Sequence, residues 1–268
     1  MATSGNIITT TTAKEIIQEA LEMLGALGEG ELANAQQETS LLRTLRNLCT
    51  TWQADGLNLF AVESLVLFLT PGRVQYKIPS NDTLTASRVR AKNVSGALPT
   101  GSTSVTFSED IDTTHDACGI LQADNTMHFA NISNINGATC TMDAQTLVDI
   151  NDGAKAYTFI VNDPSRRFMK ALHGSYLEHS GTSIPMEAMS RNDYDALTNK
   201  QSTGIPLQYY VDTQSTYNEV FIWPTANNPT QLVRLDVQRQ LDSVTSTADD
   251  LAFPAEWFLP LATNLAHV

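Results

Sequence analysis

The stretch 92–161 interrupts the pattern of the chain on either side of it. Before it comes a helical opening that runs into a β-hairpin, and after it a helix-plus-strand pattern resumes. The stretch itself is rich in Thr, Ser, Asn, Asp and Gly and holds no Trp. Its short apolar runs are Ser104–Phe107, Gly119–Gln122, Met127–Ile132, Thr139–Asp143 and Ala156–Val161. Turn signals such as Asp124-Asn125, Asn136-Gly137 and Asp152-Gly153 separate them. Short strands at this spacing predict a small β-barrel or sandwich. A chain that leaves its pattern and returns to it reads as a scaffold, 1–91 with 162–268, carrying an inserted module at 92–161.

The scaffold has its own local signals. Thr12-Ala-Lys-Glu15 is a capping box, in which Thr and Glu side chains satisfy free amides of the first helical turn. Ile16, Ile17, Ala20, Leu21, Leu24 and Leu27 then lie on one helical face, ended by Gly25, Gly28 and Gly30. A second helix is expected over 33–55, with Leu41, Leu42, Leu45, Leu48, Cys49 and Trp52 as its stripe and Gly56 at its C-terminal cap. The short loop between them predicts an antiparallel pair. Ala61–Leu69 and the alternating Val74, Tyr76 and Ile78 read as strands around a Thr70-Pro-Gly72 turn, with a further strand at Leu84–Ala91. The segment Ser165–Leu177 fits a helix or a strand equally. Pro185–Thr198 reads as a helix capped by Ser183. Leu207–Asp212 and Glu219–Trp223 read as a hairpin closed by Pro224, Leu232–Val237 as a strand, and Phe253-Pro254 as the start of a last helix. The expected class is therefore α+β: an N-terminal antiparallel helix pair and a C-terminal helix with β-hairpins, interrupted by a small all-β insertion. No helix-ending signal precedes Val268, which favours a C-terminal continuation.

Charge narrows the function classes. The 268 residues carry a net charge of −13, from 16 basic and 29 acidic side chains. Binding a phosphate backbone requires clustered Lys and Arg, and no such cluster exists here. An acidic protein can still border DNA without holding it. Cys49, Cys118 and Cys140 form no CxxC spacing, so reduced thiols and cytosolic folding are expected. Met1–Thr12 is polar, and no apolar run nears the ~20 residues that span a bilayer.

The usual chemical constellations are missing from the sequence. His115, His128, His173, His179 and His267 make no i,i+4 pair and no HExxH, so no zinc site is expected. There is no GxGxxG after a strand, no P-loop and no GxSxG elbow. The acidic clusters Glu109-Asp110-Ile-Asp112 and Asp249-Asp250 do not match a calcium loop and read as solvated loop charges. Neither a catalytic residue nor a cofactor is expected. Arg88 and Arg90 share a strand face by alternation, where they meet acids of a partner subunit or of the same chain. Arg166-Arg167 is the other close basic pair. Trp223, before Pro224 at a strand end, is a core residue or an interface anchor.

Five short motifs carry a resemblance. They are Trp52-Gln-Ala-Asp-Gly-Leu-Asn-Leu59, Leu69-Thr-Pro-Gly-Arg-Val-Gln-Tyr76, Gly204-Ile-Pro-Leu-Gln-Tyr-Tyr210, Val220-Phe-Ile-Trp-Pro224 and Phe253-Pro-Ala-Glu-Trp257. In this order they resemble the head-to-tail adaptor proteins of short-tailed bacteriophages, also called tail accessory or packaged-DNA stabilisation proteins. The likeness covers 12–90 and 200–268 and leaves 92–161 unaccounted for. It implies a virion structural protein, made in the bacterial host cytoplasm. Twelve copies would form a ring under the portal protein, extend the DNA channel and seat tail-hub, nozzle or tail-fibre proteins. Arg88, Arg90, Arg166, Arg167 and Trp223 are the candidate interface residues. Two other classes compete. One is a surface- or carbohydrate-binding tail protein, whose module at 92–161 offers only Phe107, Phe129, Tyr157 and Phe159 as aromatic platforms. The other is a cell-wall hydrolase, which needs a carboxylate pair in a cleft.

Overall fold

The computed structural model describes residues 11–28, 30–55, 62–79, 84–161, 167–239, 244–251 and 253–268. The chain divides into two compact units, 1–61 with 240–268, and 62–239.

The first unit is helical. Helices α1 (Ala13–Met23) and α2 (Ala35–Ala54) are both opened by capping boxes, Thr12 with Glu15 and Asn34 with Gln37. Ala13, Ile16, Ile17, Ala20 and Leu21 of α1 and Leu45 and Cys49 of α2 enter one core. Leu261, Ala262 and Leu265 of a C-terminal helix, Phe258–His267, complete it. The ends of the unit are tied by backbone bonds: Ala13 donates to Asp249 O, Lys14 to Thr247 O and Leu251 to Thr11 O, at 2.9–3.1 Å. The expected helix pair is thus a three-helix cluster, because the apolar stripe of α1 is wider than α2 alone covers. The expected cap Gly56 lies outside the described residues.

The second unit is built of strands. In chain order they are β1 (Val62–Phe68), β2 (Gln75–Ile78), β3 (Thr85–Asn93), β4 (Ser104–Thr106), β5 (Ala117–Leu121), β6 (Met127–Asn136), β7 (Thr139–Met142) and β8 (Lys155–Val161). There follow β9 (Phe168–Leu177), β10 (Ser183–Ala188), a short helix α3 (Arg191–Ala196), β11 (Thr203–Gly204), β12 (Gln208–Thr213), β13 (Asn218–Trp223), β14 (Thr225–Ala226) and β15 (Leu232–Arg239). Thirteen of them join in one sheet, ordered β2-β13-β12-β10-β9-β15-β1-β3-β8-β5-β6-β7-β4. All neighbours in it are antiparallel except β10 and β12, which run parallel through Glu187↔Gln208 and Ala188↔Tyr209.

This overturns the expected fold class. The chain is mainly one large mixed β-sheet with a few short helices, not a helical α+β scaffold interrupted by a β insertion. Two local misreadings contributed, and one segment left open by the sequence is resolved. The ambiguous segment before Leu177 is strand β9, paired along β15. The helix expected over Pro185–Thr198 is strand β10 followed by α3, whose cap is Ser190 bonded to Asp193 rather than Ser183. Pro185 is tolerated because β12 pairs only with Glu187 and Ala188, so β10 has a ladder partner on one side there. Finally, β1 and β2 flank a turn but do not pair: β1 lies between β15 and β3, while β2 pairs with β13.

The strands of 92–161 form no separate sheet. β3, which begins at Thr85, pairs with both β1 and β8. From β3 the ladder runs through β8, β5, β6, β7 and β4, then returns to the end of β3 through Val94↔Phe107. Ser95 N–H donates to Thr106 O and Ser108 N–H to Asn93 O, each at 2.8 Å. A small barrel closes there, filled by Val94, Val105, Phe107, Cys118, Ile120, Cys140 and Ile150. The rest of the sheet encloses a second core of Leu65, Leu67, Tyr76, Tyr209, Val220, Ile222 and Leu235. Between these two lie Val66, Phe68, Tyr157, Phe159 and Leu232.

One backbone approach sets the packing of the second core. A Cβ added at Gly174 of β9 would lie 2.4 Å from Cε1 of Tyr209, whose side chain is buried. Neither can retreat, so Gly174→Ala is expected to lower stability by about 1–3 kcal/mol, the usual cost of overpacking a filled core. Thermal or urea melts check it, and Tyr209→Leu should recover part of the loss by making room.

Candidate functional site

The sequence-selected interface residues fall at three places in the second unit. Arg88 lies within a β-bulge in β3 and Arg90 just after it, where Ser87↔Ile160 is followed by Arg90↔Thr158. Arg88 takes the left-handed conformation, φ 50°. The bulge breaks the simple alternation that would align the two side chains, yet both are exposed. The groups around them belong to the same chain. Asp112 is held below the usual carboxylate range, chiefly by bonds from Thr114, with a small contribution from Arg88. His115 is pushed down by burial, and Arg90 and Lys92 add to the shift while Asp112 opposes it. Lys92, one turn of the pleat further, is buried and donates to Asp110 O at 2.8 Å.

Arg167 precedes β9 and donates to Gln214 O at 3.2 Å, at the tip of the β12–β13 hairpin. Arg166 lies outside the described residues. Trp223 ends β13 at the opposite end of that hairpin, half-buried, with Nε1 donating to Asn199 O at 2.9 Å. Beside it the outer face of the hairpin carries an aromatic stack that pattern reading missed. Tyr210 and Phe221 are cross-strand partners with rings 5.5 Å apart and 18° from parallel. Tyr194 of α3 packs on both, and Lys200 Nζ sits 4.8 Å from the Tyr194 ring centre. The missing signal was α3 itself, whose capping Ser190 was read as helix interior.

Several of the groups weighed for chemistry have structural partners. Asp112 caps the Thr114 turn, and Asp249 accepts from Thr245 N (2.8 Å), Thr245 Oγ1 (2.9 Å) and Ser246 N (2.8 Å). Among the described residues no three His, Cys, Asp or Glu side chains gather as a metal site. His115 is buried with Nδ1 2.9 Å from Thr158 Oγ1, and His179 Nε2 is 2.8 Å from Lys92 O. All three cysteines are buried and free. Burial pushes Cys49 up to about 11. Cys118 rises because it donates to Cys140 and because it is buried. Of the aromatics proposed as a sugar platform, Phe107, Tyr157 and Phe159 are core, and Phe129 alone is 38% exposed.

The motifs behind the family resemblance converge in space. In the second unit Leu69, Tyr76, Tyr209, Val220 and Ile222 share one core, with Val220↔Tyr76 and Tyr209↔Ile222 as register partners. Tyr76 Oη accepts from Thr70 N at 2.9 Å, locking the Pro-Gly turn onto the strand it feeds. In the first unit Trp52 and Trp257 meet edge to face at 5.8 Å, and Phe253 lies 5.9 Å from Trp257. Residues 56–59 of the first motif lie outside the described residues. No protein-family model, curated protein or solved structure matches the chain.

The Asp249 cap yields a pH test. Its bonds favour the carboxylate, so the folded-state pKa lies below the unfolded value of about 3.9. The unfolded chain therefore binds more protons between the two values, and the stabilisation is complete above the higher one. It is lost as pH falls through the folded value. Asp249→Asn should lower the melting temperature at pH 7 and shrink the acid-limb slope. Identical melting curves from pH 7 to 3 for both proteins would refute the assignment.

Proposed function

We propose that the chain is a virion structural protein, a ring-forming head-to-tail adaptor that docks under a phage portal and seats the next tail proteins. The observation that carries this reading is the convergence of the resemblance motifs. Segments separated by more than a hundred residues supply one buried core around Tyr76, Tyr209 and Ile222, and another pair meets at Trp52 and Trp257. Motifs that meet as packing partners constrain a fold, which is what a resemblance in sequence order needs in order to carry meaning. The charge supports the same reading: at −13, a channel wall of this protein would repel the phosphate backbone and let DNA slide.

In this reading Arg88 and Arg90 are exposed cations on a predominantly acidic surface, suited to an acidic patch on a neighbouring subunit. Trp223 at the hairpin end is the aromatic anchor. Arg167 positions the other end of the same hairpin through Gln214.

Native mass spectrometry of the protein, alone and mixed with its portal, tests the proposal. A single complex near twelve copies on the portal is the expected result, and a monomer that ignores the portal overturns it. The double variant Arg88→Glu/Arg90→Glu should keep its melting temperature, since exposed substitutions shift stability by about 0.5 kcal/mol or less. It should form fewer rings. Undiminished assembly would remove these two arginines from the interface.

A further inference from the structure

We infer that the second unit carries a binding site for a neutral, hydroxyl-rich saccharide in the polar cleft between the start of β8, the end of β9 and the loop before β15. The cleft is about 380 Å³, within the range of roughly 300–1,000 Å³ for small-ligand sites. Lys155, Glu178, His179, Asn227, Asn228 and Gln231 line it. The inference goes beyond the adaptor reading and does not rest on it.

The walls are fixed from behind. His179 Nε2 lies 2.8 Å from Lys92 O and 3.3 Å from Ala156 O; both partners are carbonyls, so this nitrogen carries the proton. The buried Tyr157 ring stands edge-on to His179 at 5.2 Å, and its hydroxyl donates to Thr230 O at 2.7 Å. Gln231 Oε1 accepts from Asn227 N at 3.0 Å and Asn228 N at 3.3 Å, while Asn228 Oδ1 accepts from Thr230 N and Oγ1 at 2.9 Å. Each amide thus has its oxygen committed to the loop, which leaves N–H groups as its remaining hydrogen-bonding capacity.

The remaining groups choose the ligand class. Lys155 and Glu178 lie in the same cleft, and neither forms an ion pair among the described residues. A phosphate or carboxylate ligand would meet the Glu178 carboxylate, and a metal ion would meet Lys155 with a single carboxylate to hold it. A sugar hydroxyl donates and accepts at once. It can give its proton to Glu178 while receiving bonds from Lys155 and the amides, so a vicinal diol satisfies both charges without adding one.

Ligand-observed saturation-transfer NMR on the full chain tests this, with glucose, galactose, rhamnose and N-acetylglucosamine as separate probes. Transfer to at least one sugar is expected, with Ser180 and Asn227 amide shifts moving in the protein spectrum. Glu178→Gln and Lys155→Gln should each weaken binding by roughly tenfold, the effect of losing one charge-assisted hydrogen bond. Their melting temperatures should match the parent. No transfer from any of the sugars overturns the inference, as does binding that both variants retain in full. Displacement of a bound sugar by inorganic phosphate would mark an anion site and overturn it as well. Ring formation is read separately by native mass spectrometry, so failure of one proposal leaves the other standing.

Discussion

Burial of β1 on both faces is the constraint on which the second unit depends. Leu65, Leu67 and Leu69 point into the core shared with Tyr76, Tyr209 and Leu235. Val66 and Phe68 point the other way, against Tyr157, Phe159 and Leu232. Each such side chain contributes about 1.5–3 kcal/mol when fully buried. Phe68 lies 4.8 Å from the Phe159 ring and 5.8 Å from that of Tyr157, and Phe159 and Tyr157 sit on β8 of the barrel. One strand therefore fastens two cores together. β3 repeats the arrangement by hydrogen bonding, with β1 on one edge and β8 on the other. The strands after Lys92 therefore continue the same ladder through β8.

Much of the local structure was legible in the sequence. The capping box at Thr12, the hairpin of β12 and β13 and each strand core between Ser104 and Val161 follow from short-range rules of period, cap and turn. The misassigned partner of β1 has a physical cause. A strand buried on both faces, such as Leu-Val-Leu-Phe in β1, loses the period-two signature that names its partners. Chain proximity then suggested pairing β1 with β2, whereas the register that buries both faces pairs β1 with β15 and β3. Class assignment failed because the helical signals were real but local, and the sheet joining them is made of contacts far apart in sequence.

The candidate site residues were legible only as residue types. Arginines at 88 and 90 read as one face of a strand, but the extra residue of the bulge comes from backbone geometry that no alternation rule encodes. The polar cleft was less visible still. Lys155, Glu178, His179 and Gln231 lie on three separate segments, and none belongs to a spacing motif. What brings them together is Tyr157, whose ring fills the junction between the cores while its hydroxyl holds Thr230. A residue that reads as ordinary strand core in the sequence is thus the one that shapes the cleft.

The same coupling bears on the two proposals, an interface at the exposed arginines and a ligand in the polar cleft, because both fall in one unit. The exposed arginines lie on β3, and Arg90 is the register partner of Thr158, next to Tyr157. Lys92, on the same strand, presents the carbonyl that His179 engages. If a neighbouring subunit docks at β3 as proposed, its load reaches the cleft through the β3–β8 ladder and the His179 bond. Packed sheets transmit small displacements because their interiors leave little void to absorb them. The proposed occupancy of the cleft and the proposed contact at β3 would act on the same few strands, and linkage requires that any coupling between them be reciprocal.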